Sequence, residues 1–223
     1  MPLIENTVNN FYETNREKQI TKSIRDDISI EKKRIRRTRK NRINLSERLK
    51  KYDRKWKNII FLLNIEAVIL IIIVISKFSY SRPVEVFAGA FSAYVILLQY
   101  FINEQKYGER ALKAHYHQLE LADILNEMDQ ICFKYKHLSV PNDKTIEEYI
   151  DRKEKLLDKY QLSLKNNENH LSIDDLNNSM SEKGITHKVN DFSIGNIFSF
   201  LNLLFSIGVL LYIINEFGGF FFG

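Results

Sequence analysis

Two apolar arms, Ile59 to Ser76 and Val84 to Ile102, joined by a seven-residue turn from Lys77 to Pro83, constrain this chain more than any other feature. Between Lys57 and Lys77 the only charged residue is Glu66, and between Glu85 and Glu104 there is none. Each arm offers roughly 18 to 19 residues, close to the roughly 20 with which a helix crosses the apolar part of a bilayer. The alternative is a buried hairpin in a soluble protein. A core helix of that kind keeps a polar face, and IIFLLNIEAVILIIIVI has none. The arms therefore predict two transmembrane helices.

A third apolar block lies near the C-terminus. Between Asp191 and Glu216 run 24 uncharged residues, FSIGNIFSFLNLLFSIGVLLYIIN, enough for a further crossing. Asn196, Asn202 and several serines dilute it, so an interfacial or buried amphipathic helix is the competing reading. The mean hydropathy of −0.28 and 27% charged residues resemble a soluble protein only because the apolar residues are gathered into these three blocks. What remains is too little for a large globular core. The single cysteine, Cys132, rules out an intramolecular disulfide framework and fits a reducing compartment. The first 55 residues hold no apolar run of the kind a signal peptide needs, so the first span is expected to act as its own insertion signal.

Charge is distributed as unevenly as apolarity. Residues 1 to 57 carry 18 Lys or Arg against 8 Asp or Glu, a balance of +10 in a chain whose total is +5. The excess peaks at KKRIRRTRKNR, where Lys32, Lys33, Arg34, Arg36, Arg37, Arg39, Lys40 and Arg42 make eight basic residues in eleven. Three readings compete: a topogenic signal in contact with anionic lipid, a nucleic-acid patch, and a solvated helix face. The run's proximity to the first span favours the membrane reading, and the lack of interleaved aromatic residues for base stacking makes nucleic acid an unlikely partner. The 18 basic residues of 1–57 and 13 of 103–190, against 2 in the turn, place the N-terminus and the middle region on the cytoplasmic side.

Within the spans a few polar or small residues stand out. Glu66 and Asn64 in the first, with Gln99 in the second, are candidate pore or intramembrane polar groups. An ionised carboxylate at that depth costs a few kcal/mol unless paired or wet. Glu66 is therefore either a pore or gating group in an oligomer or a carboxyl held by a neighbouring helix, with Gln99, Tyr94 or Ser92 as partners. Ala88 with Ser92 and Gly89 with Ala93 repeat at four-residue spacing, a helix-packing pattern that serves either within the hairpin or between subunits.

Outside the spans the spacing is helical. Leu45, Leu49, Tyr52, Trp56 and Ile59 follow alternating steps of four and three, which predicts one helix running into the first span, with Trp56 at the interface. Ile20, Ile24, Ile28 and Ile35 suggest a further amphipathic helix, and residues 1 to 19 are expected to be disordered. After Ile102 the helix is expected to continue unbroken. Tyr107, Ala111, Ala114, Gln118, Leu121, Leu125, Met128, Cys132 and Tyr135 form a coiled-coil seam that can zip against the 45–56 stripe as a juxtamembrane stalk, with Gly108 as a hinge. Thr145 and Glu148 have the spacing of a capping box for a helix to about Lys165, with Ile146, Ile150, Leu157 and Tyr160 on its apolar face. Residues 166 to 190 read as loop with one short helix from Ile173 to Met180.

ERLKKYDRKWKNI, two closely spaced membrane helices, and then EQKYGERALKAHYHQLELADIL, with Arg110-Ala111 followed by His115-Tyr116, resemble the SLATT family over about residues 40 to 135. These are the two-transmembrane effectors associated with SMODS nucleotidyltransferases and SLOG sensors. The resemblance implies a membrane effector of prokaryotic anti-phage defence that perturbs the inner (cell) membrane after infection. Its functional partner would be a cyclic-oligonucleotide synthase or, in some relatives, a reverse transcriptase. A non-conducting membrane-anchored scaffold is the alternative.

No chemistry competes with these readings. The five histidines share no metal-ligand spacing, and no phosphate loop, nucleophile elbow or zinc-protease motif occurs. We expect no enzyme, cofactor or metal, with membrane lipids and further copies of the chain as partners. The expected fold is an all-α membrane protein. It has a basic cytoplasmic helical region at 1–57, a transmembrane hairpin at 58–103 that continues into the cytoplasmic helical coiled-coil region 104–190, and a third transmembrane helix within 191–223.

Overall fold

The computed structural model describes residues 2–76, 82–136, 143–165, 173–176, 179 and 194–222. Its elements are α1 (Pro2–Ile75), α2 (Arg82–Glu104), α3 (Tyr107–Lys136), α4 (Asp143–Lys165) and α5 (Ile194–Phe222), with a helical turn at 173–176. There is no strand among the described residues. Three helices, α2, α5 and the C-terminal part of α1, are long and apolar enough to cross a membrane.

α1 corrects two expectations. The chain is helical from Pro2 onward, where residues 1 to 19 had been read as disordered, and the weak helix around Ile28 is continuous with the one entering the membrane. Its continuity has a simple cause: no glycine or proline lies between Pro2 and Pro83. Pro2 itself occupies the first helical position, where its missing N–H costs nothing. The turn expected from Lys77 falls largely on residues 77–81, outside the described residues.

The junction after the second span is the opposite case. An unbroken helix was expected there, but α2 ends at Glu104 and α3 begins at Tyr107. Gln105 N–H donates to Ile102 O and Lys106 N–H to Asn103 O, both at 3.1 Å, tightening the last turn. Lys106 then takes a left-handed backbone with φ 48°. The break therefore sits two residues before Gly108, the expected hinge. Gly108 lies instead at a close approach: a Cβ there would sit 3.2 Å from Asp53 Oδ1, tight enough that the carboxylate would have to shift by a few tenths of an ångström.

The fold separates into two units, Met1–Leu45 with Lys113–His187 and Ser46–Leu112 with Lys188–Gly223. In the first, Ile28 and Ile35 of α1 pack with Leu121, Ile124, Leu125, Met128 and Ile131 of α3 and with Tyr149, Leu156 and Tyr160 of α4. Complete burial of such side chains contributes about 1.5–3 kcal/mol each, so this core is what holds the three helices together. The seam read along α3 is therefore used inside the chain. On α4 the buried face is Tyr149, Leu156, Tyr160 and Ser163, whereas Ile150, expected on it, is exposed. The helix opens at Asp143, two residues before the expected cap at Thr145.

In the second unit Leu49, Tyr52, Trp56 and Ile59 form a buried stripe on α1, as their spacing predicted, and Leu63 and Leu70 carry it into the apolar arm. The stripe meets the start of α3: Ser46 Oγ donates to Ala111 O at 2.9 Å, and the rings of Tyr52 and Tyr107 lie 5.6 Å apart. α5 is held by aromatic contacts, Trp56 with Phe198 at 5.6 Å, Phe91 with Phe205 at 5.9 Å and Phe87 with Tyr212 at 5.8 Å. The outward faces carry Phe61, Val68 and Ile72, Val86, Ile96 and Leu97, and Phe200, Leu201 and Leu211, all more than half exposed. A surface so apolar suits lipid rather than water.

One buried group ties the first unit to pH. His117 is 2% exposed, with Nε2 3.3 Å from Ser163 Oγ of α4. Burial, followed by the positive charge of Arg42 on α1, lowers its pKa from 6.5 to about 4. The unfolded chain thus takes up a proton that the folded chain refuses, so this stability is complete above pH 6.5 and is lost as pH falls towards 4. The loss should approach ~3 kcal/mol. Denaturation midpoints of the protein in detergent micelles should fall between pH 7.5 and 5, and His117→Gln should shrink that fall. An unchanged pH slope in His117→Gln would show that the imidazole is not its source.

Candidate functional site

Burying one face of α5 in the second unit brings its polar residues inside. Ser199, Asn202, Ser206 and Val209 recur at steps of three, four and three, and each is at most 4% exposed. Three of these four positions are polar. Within hydrocarbon such groups must find partners in the protein, because no water is there to take them.

The central partner is Glu66, 0% exposed on α1. Ser206 Oγ donates to Glu66 Oε1 at 2.5 Å, while Oε2 is buried with no hydrogen-bond partner among the described residues. Neighbouring α1 positions Leu63, Ala67 and Leu70 are buried as well, and no lysine or arginine pairs with the carboxyl among the described residues. One turn away along α5, Tyr94 OH of α2 donates to Asn202 Oδ1, and Asn202 Nδ2 returns to Phe198 O at 2.9 Å. Ser199 Oγ donates to Asn196 O at 2.8 Å, and Lys55 Nζ reaches Asn196 Oδ1 at 2.9 Å. The result is a polar seam through the three spans, with a single carboxyl at its heart.

The other residues singled out in the sequence fall in different places. Asn64 donates to Ile60 O of its own helix at 2.8 Å, and Gln99 is exposed on α2, so neither touches Glu66. Of the expected partners, Tyr94 is bonded to Asn202 and Ser92 to Ala88 O; Ser206 holds the carboxyl instead. Ala88 is buried and Ser92 half-buried, whereas Gly89 and Ala93 are exposed, with open space around Gly89. Ser206 and Asn202 had been read only as dilution of the third block. The three-four-three spacing with Ser199 is the signal that identifies a buried polar face.

The basic run lies in the first unit, and helical periodicity leaves half of it exposed and buries only Arg42. Lys32 pairs with Asp129, Arg34 lies 3.7 Å from Glu31 and 5.6 Å over the Tyr160 ring, and Arg42 is 2% exposed. Arg37 grips Asp175 with Nε at 2.9 Å and Nη2 at 2.6 Å, while Asn41 reaches the same carboxylate at 3.1 Å and Asn44 donates to Asp174 O at 3.0 Å. Arg39 buries its Nε without a hydrogen-bond partner among the described residues. Lys33 and Arg36 are exposed, and Lys40 is half-buried. The clasp by the Asp175 carboxylate and the Asp174 carbonyl was not anticipated, because a short helix from Ile173 to Met180 carries no sign of the helix it meets. Among the described residues no group of three or more His, Cys, Asp or Glu is placed to hold a metal ion.

Three membrane-length helices that enclose a polar seam define a multi-pass helical membrane protein. A family model places it further: residues 24–217 match the SMODS and SLOG-associating 2TM effector domain family 5, and the chain belongs to that family. The match is wider than the resemblance over residues 40 to 135, and it takes in most of α5 although the family description counts two spans. No curated protein and no solved structure matches the chain.

The seam makes an energetic prediction. Ser206→Ala leaves both oxygens of a buried carboxyl unsatisfied, and Glu66→Leu strands only a serine, which can turn to its own backbone. Each single change should lower the melting temperature in detergent, Ser206→Ala more, by an amount corresponding to about 1–2 kcal/mol. The double variant should regain part of that loss. Strictly additive losses would mean that the two side chains do not interact.

Proposed function

We propose that this protein is the membrane effector of a prokaryotic anti-phage, abortive-infection system, and that it assembles with copies of itself to permeabilise or depolarise the inner membrane once activated. Membership of an effector-domain family supports the class. The observation that carries the mechanism is Glu66, one carboxyl per chain, buried between spans and bonded to α5. In a resting subunit α5 covers this group. A conducting state requires α5 to give up the Ser206 bond so that Glu66 carboxylates from several subunits meet a wet path, where hydration offsets their burial and their charge selects cations. By the same resemblance, the trigger is supplied by a cyclic-oligonucleotide synthase or a reverse transcriptase.

The bond to Ser206 also favours a second reading, a non-conducting membrane-anchored scaffold in which Glu66 only packs α5 against α1. Depolarisation of a bacterial host, followed with a potential-sensitive dye at matched protein levels, separates the two. Glu66→Gln keeps the shape and a hydrogen-bonding group, so a pore should lose toxicity or change its ion selectivity, and a scaffold should be indifferent. Wild-type protein that never depolarises the host, with its trigger present, would remove the effector reading altogether.

Orientation is part of the same proposal. With Cys132 replaced by serine, a cysteine at Ser79 should react with an impermeant thiol reagent from outside, and one at the exposed Glu154 only after permeabilisation. Labelling of both from outside would overturn a cytoplasmic N-terminus.

A further inference from the structure

Near the end of the apolar stripe of α1, the second unit encloses a cavity of about 260 Å³ against the α2–α3 junction. Trp56, Ile60 and Ile102 give it an apolar wall, and Trp56 and Ile102 are buried. Its charged lining is two cations, Lys57 and Lys106, and two carboxylates, Asp53 and Glu109, with Asn103, Tyr107 and Gly108 between them in the wall. Lys57 Nζ and Asp53 Oδ2 already pair at 2.7 Å, one helical turn apart. Lys106 and Glu109 are exposed and make no ion pair among the described residues. Lys106 stands at the left-handed residue between the two helices, a conformation lysine seldom adopts.

A cavity with an apolar wall, charges of both signs and a tryptophan set between Lys55 and Lys57 just before the first apolar arm matches an amphiphile whose own charges are of both signs. We propose that it binds the headgroup of a zwitterionic phospholipid bearing a primary ammonium, phosphatidylethanolamine. The phosphate is taken by Lys106 with Lys57 beside it, and the ammonium by Glu109 with Asp53.

Charge complementarity selects this class. The lining sums to zero, so an anionic headgroup would bring its charge against two carboxylates, whereas the zwitterion satisfies both signs. A choline headgroup has the same net charge, but its quaternary nitrogen has no N–H to donate to a carboxylate. The volume lies just below the roughly 300–1,000 Å³ of pockets that enclose whole small ligands, as suits a headgroup whose chains stay in the bilayer. Charged pockets between membrane helices near the surface are where headgroups are recognised, and tryptophan favours the same level.

Trp56 is the only tryptophan in the chain, so its fluorescence reports lipid at this wall directly. The full-length protein would be reconstituted in phosphatidylcholine, and phosphatidylethanolamine with brominated acyl chains titrated in. We expect quenching to show a preference over brominated phosphatidylcholine of about three- to tenfold. Lys106→Gly together with Glu109→Gln should abolish the preference. Glycine suits the left-handed backbone, so the fold is kept, which helix content and a monodisperse elution profile would verify. Equal quenching by the two lipids in the wild type, stronger quenching by brominated phosphatidylglycerol, or a preference that survives in the double variant would each overturn the proposal. Relief of quenching by millimolar free phosphoethanolamine would also overturn it, by making the cavity a site for a soluble ligand.

Discussion

A carboxyl group enclosed among leucines needs at least one donor, and the bond from Ser206 to Glu66 is that donor. Aromatic rings give α5 its area of contact with α1 and α2, but apolar packing inside a bilayer gains little over packing against lipid tails. What distinguishes the docked helix from any other apolar helix is its polar stripe, because Ser206 and Asn202 can be satisfied by Glu66 and Tyr94 only in one rotation and at one depth. The seam thus fixes register in a region where hydrophobicity cannot.

The first unit solves the same problem with water available. Its core of isoleucine, leucine and tyrosine is ordinary, and its polar contacts lie around it: Lys32 with Asp129, Lys153 with Asp27, Lys159 with Glu127. Exposed pairs of this kind contribute only about 0–1 kcal/mol each, so they orient helices that the apolar core already holds. The grip of Arg37 and Asn41 on Asp175 is different in kind, since it fastens a segment of helical turn onto the most basic stretch of α1. A run of eight basic residues, open to lipid or nucleic acid in the sequence, is partly occupied by the chain's own acids.

Helix identity was legible because it depends on local causes: apolar spacing, the absence of glycine and of any proline after Pro2 from α1, and long uncharged blocks. The buried stripe from Leu49 to Ile59 and the inward face of α3 were readable for the same reason. Features set by a distant partner were not. Nothing local separates Ser206, which holds a carboxyl, from the serines that bond only their own backbone. The break at Lys106 was hidden because no proline or glycine stands there, and the glycine two residues on drew attention to the wrong place. That glycine lies within a helix, where a side chain would crowd Asp53. On α4 it is Tyr149, packed in the core with α1 and α3, that is buried, while the adjacent Ile150 is exposed, a choice made by those partner helices.

The break between α2 and α3 also gives the molecule an asymmetric mechanics. α1 enters the apolar region as one uninterrupted helix, stiff in bending and in torsion, whereas the return path passes through two residues, Gln105 and Lys106, that lie outside any helix. Within the second unit a twist of α1 at Tyr52 is carried along the same helix and rotates Glu66 with it. A twist applied to α3 can be absorbed at the joint before it reaches α2. The chain therefore has one drive shaft and one universal joint, and only the shaft carries the carboxyl.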